Sequence, residues 1–226
     1  MTSIRGIAVT TVVALLSVEA LVAETPFQYR DYALASSVAS VMKISNTRED
    51  RVKTLHDWPA RIQELEWRAP YVSSGTELAD PVRDILFSFF DDQLYQIVVT
   101  YDRDRIEGLT NDDLMETLSA TYGVPLLRHS RAAAPADRAE DATVVARWED
   151  AATIVTLTRG TYSPQVRLVL HSKTLNAPAR AAITEALRLD TQQAPQREQD
   201  QRNKELADAR VASQKTRVVN KAAFKP

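Results

Sequence analysis

Residues 82–102, VRDILFSFFDDQLYQIVVTYD, decide the fold of this chain. Apolar and polar residues alternate on both sides of Asp91-Asp92-Gln93, which is the period-two pattern of a β-hairpin with an acidic turn. One face of the predicted hairpin carries large apolar side chains, those of Ile85, Phe87, Phe89, Tyr95, Ile97, Val99 and Tyr101. The other face mixes apolar with polar side chains, those of Leu86, Ser88, Gln96, Val98 and Thr100. We therefore expect a core on the first face and partial exposure on the second.

An amphipathic helix and three further strands follow the hairpin. Thr110 is a good N-cap with Asp113 three residues later, and Gly123 ends the pattern, which predicts a helix over residues 110–122. Residues 130–142 lack periodicity and are predicted to form a loop. Alternating patterns then predict strands over residues 143–148, 152–158 and 165–171, and helical spacing predicts a helix over residues 174–190.

The first half of the chain carries a similar order of elements. Residues 34–44 are predicted to form a helix capped by Ser36 or Ser37. Short strands are predicted around residues 52–56 and 65–71, with a break between them at Trp58-Pro59. Each half therefore reads as a short helix followed by strands, with a tryptophan early among the strands.

This order predicts an α+β fold in which helices pack on one side of an antiparallel sheet. Two tandem helix-plus-sheet units are predicted, over residues 27–107 and 108–190, followed by a charged tail over residues 191–226. Duplication of one unit would produce this order, and so would the small number of ways in which an α+β domain can be built.

The N-terminus has the pattern of a secretory signal peptide. Arg5 precedes an uncharged apolar run over residues 7–18, and Ala20 and Ala23 offer small residues for cleavage. The run is shorter than the roughly 20 apolar residues that a membrane-spanning helix needs. We therefore expect residues 1–23 to be a cleaved signal, and the mature protein to be exported and soluble in the periplasm or outside the cell.

Composition narrows the function classes. The chain has no cysteine, so it has neither a disulfide nor a thiol for a lipid anchor. Its formal net charge of −2 provides no field that would attract nucleic acid, and we expect no nucleic-acid partner. The mature chain is long enough to bury a core without covalent crosslinks.

Candidate catalytic and metal-binding residues are few. The three histidines, His56, His129 and His171, are far apart in the sequence and lie in no serine-hydrolase or zinc motif. Carboxylates cluster at Asp91-Asp92, at Asp102 and Asp104, and at Asp112-Asp113, and the chemistry of a turn, a strand exit and a helix start explains them. We therefore assign no catalytic, cofactor-binding or metal-binding residue and expect no cofactor.

The charged tail is the least ordinary segment. Half of residues 192–201 are glutamine, and after Asp208 the chain has five basic residues and no acid (Arg210, Lys215, Arg217, Lys221 and Lys225). A helix over residues 196–217 is one prediction, and a solvated, partly disordered extension is the alternative. A basic end of this kind would attract anionic lipid, a cell-wall polymer or an acidic protein.

The segments LASSVASVMKISN, LTNDDLMETLSATYGVP and FSFFDDQLYQIVVTYD resemble helix-plus-antiparallel-sheet modules of bacterial envelope proteins. The tandem units of β-lactamase inhibitor protein and the related outer-membrane assembly lipoproteins are examples, as are uncharacterised exported proteins with a similar hairpin. The resemblance implies protein binding and carries over no functional residue. We expect a non-enzymatic envelope binding or assembly module that contacts an envelope protein or anionic polymer through its sheet face or basic tail. An envelope hydrolase with a dispersed site and a structural subunit of a larger complex are the alternatives.

Overall fold

The computed structural model describes residues 26–70, 80–133, 142–160 and 165–223, and the predicted signal peptide lies outside them. The predicted α+β class is confirmed. The strands are β1 (Val52–His56), β2 (Ile62–Arg68), β3 (Val82–Phe90), β4 (Gln93–Tyr101), β5 (Leu127–Ala133), β6 (Ala142–Glu149), β7 (Thr153–Gly160) and β8 (Val166–Ser172). The helices are α1 (Val38–Ser45), α2 (Asn111–Tyr122) and α3 (Lys173–Ala223), with a short 3-10 turn at Glu49–Arg51.

All eight strands form one antiparallel sheet in the order β1-β2-β3-β4-β8-β7-β6-β5. Each half of the chain contributes a helix and four consecutive strands, and the last strands of the two halves, β4 and β8, pair at the centre. Trp67 and Trp148 lie in the second strand of their respective halves. The limits of the two predicted units stay a prediction, because one continuous sheet joins them.

The β3-β4 hairpin forms as its sequence pattern predicts. Asp91 and Asp92 form the turn with φ values of 45° and 66°, the left-handed conformation that suits the twist of a two-residue hairpin. The strand register shifts near the turn, so that Phe89 pairs with Leu94 although Ser88 pairs with Gln96. This bulge places Leu94 in the core cluster and leaves Tyr95 beside Gln96 on the other face. Tyr95 is buried, as predicted, but it lies on the face opposite to that of Ile97, so the predicted face was wrong.

One row of side chains runs across six strands and forms the centre of the core. Neighbouring strands place its members opposite one another, and each is 0% exposed: Leu65, Phe87, Ile97, Leu170, Val155 and Trp148. We call the face that carries this row the core face. Burial of such a row drives the pairing of strands that are far apart in sequence, because each apolar side chain loses contact with water only when both neighbours are present.

Helices α1 and α2 cover the core face. Their buried residues Val38, Val41, Leu114 and Tyr122 belong to the same apolar cluster as the central row. Ser37 caps α1, and a capping box between Thr110 and Asp113 begins α2. Gly123 ends α2 with a φ of 77°, a conformation that costs glycine no strain. The predicted caps of both helices are therefore confirmed.

The segment of residues 27–36 crosses the core face and is held at several points. The Tyr122 hydroxyl donates to the Gln28 carbonyl at 3.2 Å, and the Tyr32 and Phe87 rings lie 4.6 Å apart. Arg30 forms a two-bond ion pair with Asp80 at 2.7 Å, which holds the pKa of that carboxyl below its usual range. The segment therefore closes the core on this side.

One predicted element differs from the structure: residues 130–133, predicted to be part of a loop, belong to edge strand β5, which pairs with β6. Edge strands often carry charged side chains, and the β5 sequence LRHSRAA has two arginines and almost no apolar alternation, so its pattern did not predict a strand. The predicted helix in the tail is confirmed, because α3 continues without interruption from Lys173 to Ala223, and the disordered alternative does not hold over the described part of the tail.

Candidate functional site

The second face of the sheet, which we call the groove face, carries half-buried apolar residues at its centre. Leu86, Val98 and Val169 lie directly opposite one another on β3, β4 and β8 and form a continuous apolar floor. Polar residues border this floor at both of its ends along the strands. They include Ser88, Gln96, Thr100 and Thr158. The alternation in the hairpin sequence predicts this mixed face, and the burial of Leu86 and Val98 confirms it.

Helix α3 borders the groove face. Its first turn is fixed by the Ser172 hydroxyl, which accepts from the Leu175 amide at 3.2 Å, and by an ion pair of 2.6 Å between Lys173 and Glu149. Lys173 holds the pKa of the Glu149 carboxyl below its usual range. Ala179 and Ala186, two turns apart on one side of the helix, are buried, which lets the helix backbone approach the sheet closely. The prediction that the helices pack on one side of the sheet therefore holds for α1 and α2. Helix α3 lies on the opposite face.

A groove of about 750 Å³ lies between α3 and the sheet. Ile183 of α3 lines it together with the apolar floor and with Leu55, Ile62 and Tyr95. Its charged lining residues are balanced: three acids and three arginines (Glu64, Glu66, Asp84, Arg68, Arg83 and Arg167). Arg68 contacts Glu66 at 2.9 Å and Arg83 contacts Asp84 at 2.7 Å, so these four charges are already paired. A groove of this kind suits an amphipathic ligand rather than one of a single charge sign.

His56 and Asp190 lie at one end of the groove. The Nδ1 atom of His56 is 3.6 Å from a carboxylate oxygen of Asp190, and Arg197 contacts the same carboxylate at 3.1 Å. The His56 side chain is only 17% exposed, whereas that of Asp190 is 48% exposed. This group connects β1 to α3 at the point where the helix leaves the sheet, since every described residue from 191 onward is exposed. The His56–Asp190 contact therefore joins β1 to α3.

The other histidines are not gathered at this end of the groove. His171 is half-buried in β8, opposite Gln96 of β4 and Ile154 of β7. His129 belongs to β5 at the far edge of the sheet, and its side chain lies outside the described residues. Among the described residues no group of three histidine or carboxylate side chains is arranged to hold a metal ion.

The carboxylates of the three acidic clusters accept hydrogen bonds from backbone amides. Asp91 accepts from the Arg61 amide and Asp92 from the Val38 amide, so the hairpin turn also caps helix α1. Asp102 accepts from the Asp104 amide at the strand exit, and Asp113 accepts from Thr110 in the capping box. The predicted roles of these carboxylates in a turn, a strand exit and a helix start are confirmed.

Beyond the sheet, α3 forms an exposed arm, by which we mean residues 191–223. The arm is about 50 Å long at the 1.5 Å rise of an α-helix, and each of its residues is exposed. Leu206, Val211, Val218 and Val219 are 61%, 51%, 68% and 65% exposed. Among the described residues no helix is long and apolar enough to span a bilayer.

The groove could not be predicted from the hairpin pattern alone, because that pattern does not show that α3 packs beside the second face. The alanines at positions 179, 182 and 186 were the available signal, since small residues at helical spacing mark a close helix contact. No protein-family model, curated protein or solved structure matches this chain. The resemblance to envelope modules therefore stays a prediction.

Proposed function

We propose that this chain is an exported, non-enzymatic binding module of the cell envelope that holds a segment of a protein partner in the groove. The observation that carries the proposal is the apolar floor of Leu86, Val98 and Val169, which is half-buried in a groove of about 750 Å³ although α3 packs beside it. Half-exposed apolar side chains at the centre of a concave surface are typical of binding sites.

The charges of the groove indicate the kind of partner. Equal numbers of acidic and basic residues give no net field, so an anionic polymer would gain little there. An amphipathic protein segment would bury its apolar side chains on the floor and place polar groups against the bordering residues. The groove therefore favours the protein partner over the anionic polymer among the two partners expected from the sequence.

Leu86→Lys tests the groove. The lysine stem replaces leucine on the floor while its amino group reaches solvent, so the sheet is retained and the floor is blocked by a charge. We expect binding of an envelope protein partner, measured by quantitative affinity capture from envelope extracts, to fall at least about tenfold, as it does when a central interface residue is lost. Leu109→Lys is the matched control, because Leu109 is 42% exposed at the start of α2 and does not line the groove. Equal recovery with both variants, or no partner above background, would count against the proposal.

Export is part of the same proposal and is tested separately. Phe27, four residues beyond the end of the predicted signal, is packed against the core cluster. We expect N-terminal sequencing of exported protein to give Leu21 or Glu24 as the first residue, since cleavage follows small residues at positions 20 or 23. A product that begins at Met1 would contradict cleavage.

Two alternatives stay predictions. A hydrolase needs a nucleophile and a base in reach of each other, and the His56 ring contacts the carboxylate of Asp190. A structural subunit would bury the groove permanently against a neighbouring chain.

A further inference from the structure

The half of the exposed arm after Asp208 has two different stripes along its surface. Val211, Val218 and Ala222 are separated by seven and four residues and therefore lie on one face of the helix. The basic residues Arg210, Arg217 and Lys221 have the same spacing, one residue earlier in each case. A shift of one residue turns the helix by about 100°, so the basic stripe flanks the apolar stripe along its whole length.

Charge on this segment is of one sign. No aspartate or glutamate follows Asp208, so Arg210, Lys215, Arg217 and Lys221 have no acidic neighbour within the segment. The arm before that point has acids among its basic residues, for example Asp200 and Glu205 beside Arg202 and Lys204. The positive field is therefore confined to the last four turns of the described helix, farthest from the sheet.

We infer that residues 209–223 bind the anionic headgroup surface of a phospholipid bilayer, with the valine stripe in the interface and the basic stripe on the headgroups. An interfacial helix has this combination of an apolar face and flanking lysines and arginines. Lys215 lies close to the valine stripe, and its long stem lets the ammonium group reach the headgroup level.

The two stripes distinguish a bilayer from the other anionic partners. A polymer or an acidic protein patch would use the basic stripe and leave Val211 and Val218, which are 51% and 68% exposed, in water. A coiled-coil partner would need apolar residues at spacings of three and four, and the position four residues after Val211 is Lys215. A bilayer interface can bury a narrow apolar stripe, and its anionic headgroups attract basic residues that have no acidic partner.

Pro195 lies near the start of the arm, close to the docked part of α3. Proline has no amide hydrogen, so the Thr191 carbonyl lacks its helical donor at the turn where the helix leaves the sheet. The missing hydrogen bond weakens the helix near the start of the arm. Bending there would let the distal segment lie along a membrane while the groove stays accessible, which makes lipid binding independent of the proposed groove partner.

Co-sedimentation of the full mature chain with vesicles tests this inference. We expect binding to equimolar phosphatidylglycerol and phosphatidylcholine vesicles and weak binding to phosphatidylcholine alone. Replacing Arg210, Arg217 and Lys221 by glutamine should lower binding to the anionic vesicles about 100-fold, since each basic residue near an anionic surface contributes about fivefold. The matched control replaces Arg197, Arg202 and Lys204 by glutamine, which removes the same charge from the other half of the arm and should change binding less than about threefold.

A second variant separates the bilayer from other anionic partners. Val211→Asn with Val218→Asn keeps every charge and removes the apolar stripe, and we expect it to lower vesicle binding about tenfold or more, since each valine buried at the interface contributes to the affinity. Normal vesicle binding by this variant would overturn the inference and leave an anionic polymer or acidic protein as the occupant. Equal loss in the two triple-glutamine variants, or equal binding to neutral vesicles, would also overturn it.

Discussion

Trp148→Ala is expected to lower the free energy of unfolding by about 3–5 kcal/mol, the usual cost of truncating a buried aromatic side chain. Trp148 is 0% exposed at one end of the central row, and its ring lies 6.0 Å from that of Tyr122. Its Nε1 atom donates to the Gly123 carbonyl at 2.9 Å, which ties the end of α2 to β6. The substitution therefore leaves both a cavity and an acceptor without its donor. Domains of this kind have roughly 5–15 kcal/mol of stability in total, so the loss is a large part of it.

Urea unfolding followed by circular dichroism measures this loss of stability. Two further variants serve as comparisons. Trp58→Ala removes a tryptophan that is 72% exposed and should change stability by less than about 0.5 kcal/mol. Trp148→Phe keeps most of the ring but loses the hydrogen bond, so its cost should be near 1–2 kcal/mol. Similar losses for Trp148→Ala and Trp58→Ala would show that Trp148 does not hold α2 on the sheet.

Asp150→Ala is expected to lower the free energy of unfolding by about 2–4 kcal/mol, because one carboxylate accepts several backbone hydrogen bonds. One oxygen of Asp150 accepts from the amides of Ala152 and Thr153 at 2.7 and 2.6 Å in the β6-β7 turn. The other oxygen accepts from the Phe27 amide, more than 100 residues away in the sequence. Asp150 thus joins the turn to the segment of residues 27–36 that closes the core.

Asp150→Asn separates the two roles of the carboxylate. Its carbonyl can still accept from the turn, but its amide faces the Phe27 N–H with a donor, so we expect about half of the loss seen with alanine. Loosening of the N-terminal segment should also speed tryptic cleavage after Arg30 in both variants. Asp57→Ala is the control, since that exposed side chain only faces Arg61 at 3.7 Å and is expected to contribute less than about 0.5 kcal/mol. Unchanged cleavage in Asp150→Ala would contradict the anchoring role.

The groove could be predicted from the sequence only in part. The alternation of residues 82–102 predicted a face that mixes Leu86 and Val98 with polar residues, because period-two patterns report directly on which residues share a face. The pattern did not predict the bulge that moves Tyr95 onto this face, since a register shift depends on the partner strand as well as on the strand itself. Nor did it place α3 beside the floor.

What the sequence by itself determined is local: the hairpin and its Asp91-Asp92 turn, the caps of α1 and α2, and the acid-free end of the chain. These features follow from interactions between residues a few positions apart, so their signals are complete within a short window. Only the tertiary structure decided that β4 pairs with β8, that edge strand β5 joins the sheet, and that α3 crosses the face opposite to α1 and α2. Those outcomes depend on burial summed over the whole sheet, where Val98 meets Val169 and Trp148 completes a row that begins at Leu65. No short stretch of the chain contains that information.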